Sequence, residues 1–262
     1  MITLDPPRER LAHGHPPDLN PNDQWHHQQR GYWNGVADRY DRFYRTWWSR
    51  LENDFVRRRL SFLRALPEVT VVDLGCGTGL GGRLAREVNP NTRYVGVDIA
   101  EQMARAAVPT SDTVHVAPMD DLRFLADGVA DVVLALFSSV SFAYDPRRLF
   151  GEVARVLRPG GEAYLSALGG RSLRRRTGAG DASYRTRGDD RATGGAPMHL
   201  LTVAQLRHLA GTAGLDVVSA EGMNALSGVM ELAPLWWAGR LAARCKPDLA
   251  HTIEVRLRKA DR

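Results

Sequence analysis

The spacing of apolar residues changes period near Pro67, and that change divides the chain. From Gln28 to Leu66, Tyr32, Val36, Tyr40, Phe43, Tyr44, Trp47, Leu51 and Phe55 recur at steps of three and four. That period gives helices with one apolar face. The run Ser49-Arg50-Leu51-Glu52 fits a capping box, so a second helix is expected to start near Ser49 and to end before Pro67. Beyond Pro67 the pattern becomes short apolar runs separated by helical stretches. Strands are expected at Val71 to Leu74, Arg93 to Val97, Thr113 to Ala117, Ala130 to Phe137, Glu162 to Leu168, Leu215 to Ser219 and His251 to Arg258. Helices are expected at Leu80 to Val88, Glu101 to Ala107, Arg147 to Leu157, from the N-cap Thr202 to about Ala213, and over Val229 to Arg244, where Pro234 is a break. Strands alternating with helices imply an α/β fold: a doubly wound sheet of seven strands, mostly parallel, with an antiparallel edge strand and an N-terminal helical cap.

Two stretches fall outside that rhythm. Residues 1–24 carry Pro6-Pro7, Pro16-Pro17 and Pro21 and read as a disordered or draped arm. Residues 169–198 are rich in glycine and arginine and read as a flexible excursion near the active face, either a lid or an idle solvated loop. The expected organisation is thus an arm over 1–24, a helical cap over 25–66 and a main domain over 67–262.

Composition narrows the partners. A formal charge of +5 permits nucleic acid. The excess is arginine concentrated in one loop, so nucleic acid is not the expected partner. The apolar stretch from Leu226 to Ala243 is interrupted by Glu231, Pro234 and Arg240, which excludes a membrane span. Cys76 and Cys245 cannot form a disulfide framework and read as free thiols, and residues 1–20 lack the pattern of a signal peptide. A cytoplasmic protein, monomer or homodimer, is expected. His13, His15, His26 and His27 lack accompanying ligand spacing, so no metal is expected.

The candidate chemistry sits at VVDLGCGTG, residues 71–79. A buried strand ending in glycines lets the backbone turn sharply and come into contact with a ligand. Asp98 ends the next strand, where an acid can accept two hydrogen bonds from a ribose diol. Residues 77–82, GTGLGG, satisfy the dinucleotide fingerprint G-x-G-x-x-G, but that fingerprint should begin at the strand end, Gly75, and counted from there its last position is Leu80. Asp73 within the strand would be unwelcome beside a pyrophosphate and suits a cationic ligand such as S-adenosylmethionine, which carries an ammonium and a sulfonium.

VVDLGCGTG, VGVDIA at 95–100, DVVLALFSSVSF at 131–142 and VARVLRPGGEAYLS at 153–166 resemble the class I SAM-dependent methyltransferases, a Rossmann-like family. Ala37-Asp38-Arg39-Tyr40-Asp41 is similar to the cap helix of its small-molecule members. The resemblance implies S-adenosylmethionine as methyl donor and S-adenosylhomocysteine as product. It implies that Gly75, Cys76, Gly77 and Gly79 line the methionine part, that Asp73 orients the turn and faces the ammonium, and that Asp98 holds the ribose. Ile99 and Met103 would lie against the adenine, and Phe137 and Ser138 would face the sulfonium. The acid that usually binds the adenine amine is replaced by Pro118, so either Asp120 or the Met119 backbone takes that place.

Methyl transfer needs alignment more than a catalytic group, and a base only when the acceptor is protonated. His199 is the candidate base, with capping or packing as the competing reading. Tyr40 joins it as a catalytic candidate, Tyr32, Tyr44 and Ser139 are candidates for substrate contact beside His199, and Glu52 is a further one. The expected activity is methylation of an N or O atom of a small molecule. The alternative is an RNA or protein methyltransferase that uses the basic loop, although Phe137-Ser138-Ser139-Val140 does not suit a flipped base.

Overall fold

The structure is a computed structural model and describes residues 20–43, 45–176, 196–227 and 229–261. Strands β1 (Val69–Leu74), β2 (Thr92–Asp98), β3 (Thr113–Val116), β4 (Ala130–Ala135), β5 (Leu157–Leu168), β6 (Leu215–Gly222) and β7 (Thr252–Lys259) form one sheet in the order β3-β2-β1-β4-β5-β7-β6. Pairings from β3 to β5 are parallel, and β7 runs antiparallel between β5 and β6. After β1 the chain builds outward to β3, then returns to place β4 on the other side of β1. A crevice opens at the carboxyl ends of the strands where the order reverses.

The helices are α1 (Pro21–Val36), α2 (Tyr40–Phe43), α3 (Trp47–Arg59), α4 (Leu80–Val88), α5 (Glu101–Ala107), α6 (Pro146–Val156), α7 (Leu173–Arg176), α8 (Val203–Thr212) and α9 (Trp236–Cys245). Alternation along the strands feeds two cores. Val72, Leu74, Val133, Leu165 and Val255 meet Leu149, Phe150 and Val153 of α6 and Leu206 of α8. Val71, Leu134 and Tyr164 meet Trp48 and Phe55 of α3, Leu84 of α4 and Trp236 of α9 on the opposite face. Burying a side chain of this size contributes about 1.5–3 kcal/mol. A third, smaller cluster packs Tyr32 and Val36 of α1 against Met103, Phe142 and Leu168, so α1 lies over the carboxyl end of the sheet.

Several boundaries differ from expectation for identifiable reasons. The cap begins earlier: the Asn20 side chain accepts from the Asp23 amide and Pro21 opens α1, so the expected arm over 1–24 ends in helix, with residues 1–19 outside the described residues. The next long helix starts at Trp47, because Thr46 Oγ1 rather than Ser49 caps it, accepting from the Ser49 amide at 3.1 Å. Strand β4 stops at Ala135 because Phe137 and Ser138 adopt left-handed backbone, φ 52° and 71°. Strand β5 starts at Leu157, upstream of Pro159 and Gly160, with a shift of register against β4 between Ala130 and Val132. Pro234 does break the late apolar stretch, leaving α9 as its helical part. Within α9 the two tryptophans divide: Trp236 is core, whereas Trp237 is 73% exposed. Thr202 is the N-cap of α8 as expected, and Gln205 completes a capping box with it. Most of the glycine- and arginine-rich excursion, residues 177–195, lies outside the described residues, and its two ends are pinned together where Gly170 donates to Leu201 O and Leu201 to Leu168 O.

Candidate active site

The glycine turn after β1 is tied to β2. Gly75 and Cys76 both donate their amides to Val97 O, at 2.8 and 3.0 Å, and Gly77 donates to Asp98 Oδ2 at 2.9 Å. Gly75, Gly77 and Gly79 all have positive φ, which an L side chain rarely tolerates. Gly79 is the N-cap of α4. The second Asp98 oxygen accepts from the Ala100 amide at 2.8 Å, so one carboxyl holds the turn and the start of α5 together.

Above this turn lies a cavity. Its floor is Gly75, Gly77 and Asp98, one wall is Ile99, Met103, Met119 and Asp120, and the other is Phe137 and Ser139. A second chamber extends it toward β1, lined by Asp73, Cys76 and Thr78. Tyr40, Gly75, Gly77, Phe137 and Ser139 line both and mark the junction.

The roof comes from α1 and the segment after β4. His26, Gln29 and Trp33 of α1 face Phe142, Ala143 and Tyr144 across the cavity. Trp33 meets Phe142 and Tyr40 edge to face, at 5.1 and 6.0 Å between centroids. The roof is latched by three hydrogen bonds: Trp25 Nε1 to Phe142 O at 3.0 Å, Gln29 Nε2 to Pro197 O at 2.5 Å, and the Gln102 amide to Asn34 Oδ1 at 2.9 Å.

Most residues expected at the site are brought together. Asp73, Gly75, Cys76, Gly77, Asp98, Ile99, Met103, Met119, Asp120, Phe137, Ser139 and Tyr40 line one or both chambers. Ser138 does not. Its left-handed backbone turns it into the core, where its amide donates to Ser166 Oγ and its hydroxyl lies 3.2 Å from that of Thr252. Strained non-glycine backbone of this kind persists only where surroundings fix it, and it aims Phe137 and Ser139 at the cavity instead. Tyr32 packs beneath Trp33 and does not line the cavity. His199 is also outside the lining: its ring stacks on Trp25 at 4.9 Å and its Nε2 lies 3.1 Å from Tyr144 O. Tyr44 lies outside the described residues. Glu52 sits on α3, accepting from Trp48 Nε1 and Ser227 Oγ at 3.1 Å each. At the place of the missing adenine acid, Pro118 lines the cavity, and Asp120 beside it accepts from the Asp145 amide and faces His26 at 3.7 Å. His26, Gln29, Trp33 and Tyr144 were not expected at the site. For the three on α1 the one sequence signal was the aromatic density of that helix.

Four buried carboxyls share an electrostatic direction. Burial pushes Asp73 up to about 7 against the pull of the Tyr94 hydroxyl, and Asp98 up to about 6 against its two backbone donors. Burial likewise lifts Glu52 and Glu254 to about 7. Burial also pushes Asp120 up, but His26 and the Asp145 amide outweigh it and hold it below the usual range. A carboxyl raised in the folded state keeps its proton between about pH 4 and 7 while the unfolded chain loses it, so stability falls as pH rises across that window. The ligand-free protein is therefore expected to melt at a lower temperature at pH 7.5 than at pH 5, by scanning calorimetry in matched ionic strength. His115, lowered by burial, works in the opposite sense as a single group. A melting temperature that rises over this range would contradict the burial of these four carboxyls.

A doubly wound sheet with a glycine turn and an acid closing the second strand defines a nucleoside-binding α/β protein. The model of a methyltransferase domain matches residues 72–165. The chain is 36% identical over 107 residues to a human thiol S-methyltransferase, covering 38% of this chain and 43% of that protein. It is 37% identical over 118 residues to the nocamycin O-methyltransferase of Saccharothrix syringae, covering 42% and 41%. The match thus spans less than half the length of either relative. In fold it is similar to a chain of the complex between the Haloferax volcanii Trm112 methyltransferase activator and its methyltransferase, with a TM-score of 0.62, 22% identity, and 88% and 97% of the two chains covered. A SAM-dependent methyltransferase from Thermotoga maritima aligns with a TM-score of 0.55 at 18% identity, over 88% and 99%. Residues 72–165 thus match a methyltransferase domain, and the fold is similar to that of SAM-dependent methyltransferases.

The residues present fit the S-adenosylmethionine that a methyltransferase domain of this fold implies. Asp98 can accept from a ribose diol, Met103 and Ile99 give an apolar wall, and Asp73, whose buried Oδ1 has no hydrogen-bond partner among the described residues, lines the chamber where a ligand ammonium would lie.

Proposed function

We propose that this chain transfers a methyl group from S-adenosylmethionine to an N or O atom of a small molecule. The observation that carries this reading is the aromatic-lined cavity, roofed by α1, in which Tyr40 and Phe137 stand at the junction of the two chambers. Bound there, the donor supplies a methyl already activated on a sulfonium. The chain's part is to bind, align and exclude water: Asp98 and the glycine turn fix the nucleoside, α1 closes the roof, and Phe137 and Tyr40 flank the place of transfer. Alignment of this kind can lower a barrier by about 7–11 kcal/mol. The relatives' names include sulfur and oxygen acceptors, so the acceptor atom is the finer question. No helix among the described residues is long and apolar enough to cross a membrane. Free Cys76 and Cys245 support a cytoplasmic setting, as monomer or homodimer.

Calorimetric titration with S-adenosylhomocysteine tests the first half of this reading and should give saturable binding. A SAM-consumption screen of amines, carboxylic acids, phenols and thiols beside bulk tRNA tests the second. Turnover with tRNA alone would favour the basic-loop alternative, and no binding of S-adenosylhomocysteine would end the whole reading. His199 enters through its position under Trp25: we read it as seating α1 and Tyr144 over the cavity. His199→Ala is expected to weaken S-adenosylhomocysteine several-fold and to leave the shape of the kcat–pH profile unchanged. Loss of the profile's acidic, low-pH limb with binding intact would make it the general base instead.

A further inference from the structure

Tyr94, in the middle of β2, is fully buried and lines neither chamber. Its hydroxyl donates to Asp73 Oδ2, across the pair of parallel strands that ends in the glycine turn. Asp73 is itself 2% exposed, and its other oxygen, Oδ1, has no hydrogen-bond partner among the described residues although the residue lines the methionine-side chamber. A buried carboxylate oxygen without a partner is costly unless a ligand completes it. The first turn of α4 is shaped around this pair. A Cβ at Gly81 would run into Asp73 Oδ2, and one at Gly82 would lie 2.8–2.9 Å from three atoms of the Tyr94 ring. The glycine that completes the misleading fingerprint, Gly82, thus leaves room for a tyrosine rather than for a pyrophosphate.

We propose that Tyr94 is a positioning residue for the amino-acid end of the nucleoside ligand: by occupying Oδ2 it turns Oδ1 of Asp73 toward the chamber, where it receives the ligand's α-ammonium. The inference rests on the reading of the cavity as an S-adenosylmethionine site. Losing the hydroxyl frees the carboxyl to rotate and removes a donor that favours its ionised form. The ammonium contact should weaken while the adenosine contacts, which run through Asp98, Ile99 and Met103, stay intact.

Two ligands separate this role from simple packing. S-adenosylhomocysteine carries the α-ammonium, and 5′-methylthioadenosine keeps the nucleoside and thioether but lacks the amino-acid end. Tyr94→Phe preserves the ring that fills the space beside Gly82. By calorimetry it is expected to bind S-adenosylhomocysteine about tenfold more weakly and 5′-methylthioadenosine within about twofold of the wild type. Asp73→Asn should show the same selective loss. The pH at which S-adenosylhomocysteine affinity falls to half should move upward in Tyr94→Phe, since the carboxyl then holds its proton to higher pH. Equal losses for both ligands would show a packing role only and overturn the proposal, as would unchanged S-adenosylhomocysteine affinity. A wild-type protein that binds neither ligand would overturn the cofactor reading itself.

Discussion

Asp98→Ala is expected to lose S-adenosylhomocysteine binding by a factor of at least about 100, the largest effect of any single substitution at the site. Its carboxyl does two things at once. Oδ2 holds the Gly77 amide and Oδ1 the Ala100 amide, which fixes the turn against the start of α5. The residue also lines the cavity, where its remaining lone pairs would serve the two hydroxyls of the proposed ribose. Hydrogen bonds to a charged group contribute about 1.5–3 kcal/mol each. Losing two to the ligand therefore costs about two to four powers of ten in affinity before any loosening of the turn. Asp98→Asn separates the two roles. The amide can keep one acceptor for Ala100 N–H but presents a donor to Gly77 N–H, so the turn and one ribose contact suffer together, and an intermediate loss of roughly 10- to 100-fold is expected. Calorimetry with S-adenosylhomocysteine measures both variants, and circular dichroism checks that the fold survives. Retained affinity in Asp98→Ala would remove this residue from the ribose site.

The same residue shows which parts of the molecule can be read from the chain. Asp98 and the glycine turn are close in sequence, and their spacing encodes a strand, a turn and a second strand, so chemistry and geometry coincide in one local pattern. The Thr202 N-cap was visible for the same reason: it lies within one helical turn of the amide it caps. Ser138 was harder. Alternation along a strand assigns faces only while the backbone stays extended, and at Phe137 and Ser138 it becomes left-handed, which turns Ser138 into the core. Nothing in LFSSV announces that change, because its cause is remote: Ser166 and Thr252, on two other strands, hold Ser138 in place. The roof was the least legible part. His26, Gln29 and Trp33 meet Phe142 and Tyr144 from more than 100 residues away, and amphipathic spacing reveals only that α1 has an apolar face, not what lies beneath it. His199 illustrates the converse. Its position, where the arginine-rich excursion rejoins the fold, suggested chemistry at the site, whereas its ring is engaged with Trp25.

The second large effect concerns stability and tests the fit between α4 and β2. Gly82→Ala should destabilise the protein by about 1–3 kcal/mol, the usual cost of overpacking a closed site. In an open helix the same change gains up to about 1 kcal/mol of helix propensity. Which term wins is decided by the Tyr94 ring, which is fully buried, is held by its hydroxyl at Asp73, and would lie 2.8–2.9 Å from the new methyl group. Gly151, within α6, provides the contrast, since a Cβ there meets nothing within 4 Å. Gly151→Ala is therefore expected to raise the melting temperature by a few degrees and Gly82→Ala to lower it by roughly 2–10 °C. The double variant Gly82→Ala/Tyr94→Leu assigns the cost. If the clash is with the ring, the alanine should cost little once the ring is gone, and the two substitutions should be coupled by more than about 1 kcal/mol. Additive effects would place the strain elsewhere in the first turn of α4. A Gly82→Ala protein as stable as Gly151→Ala would show that Tyr94 can yield, and a ring free to yield could not hold the Asp73 carboxyl in register with a ligand.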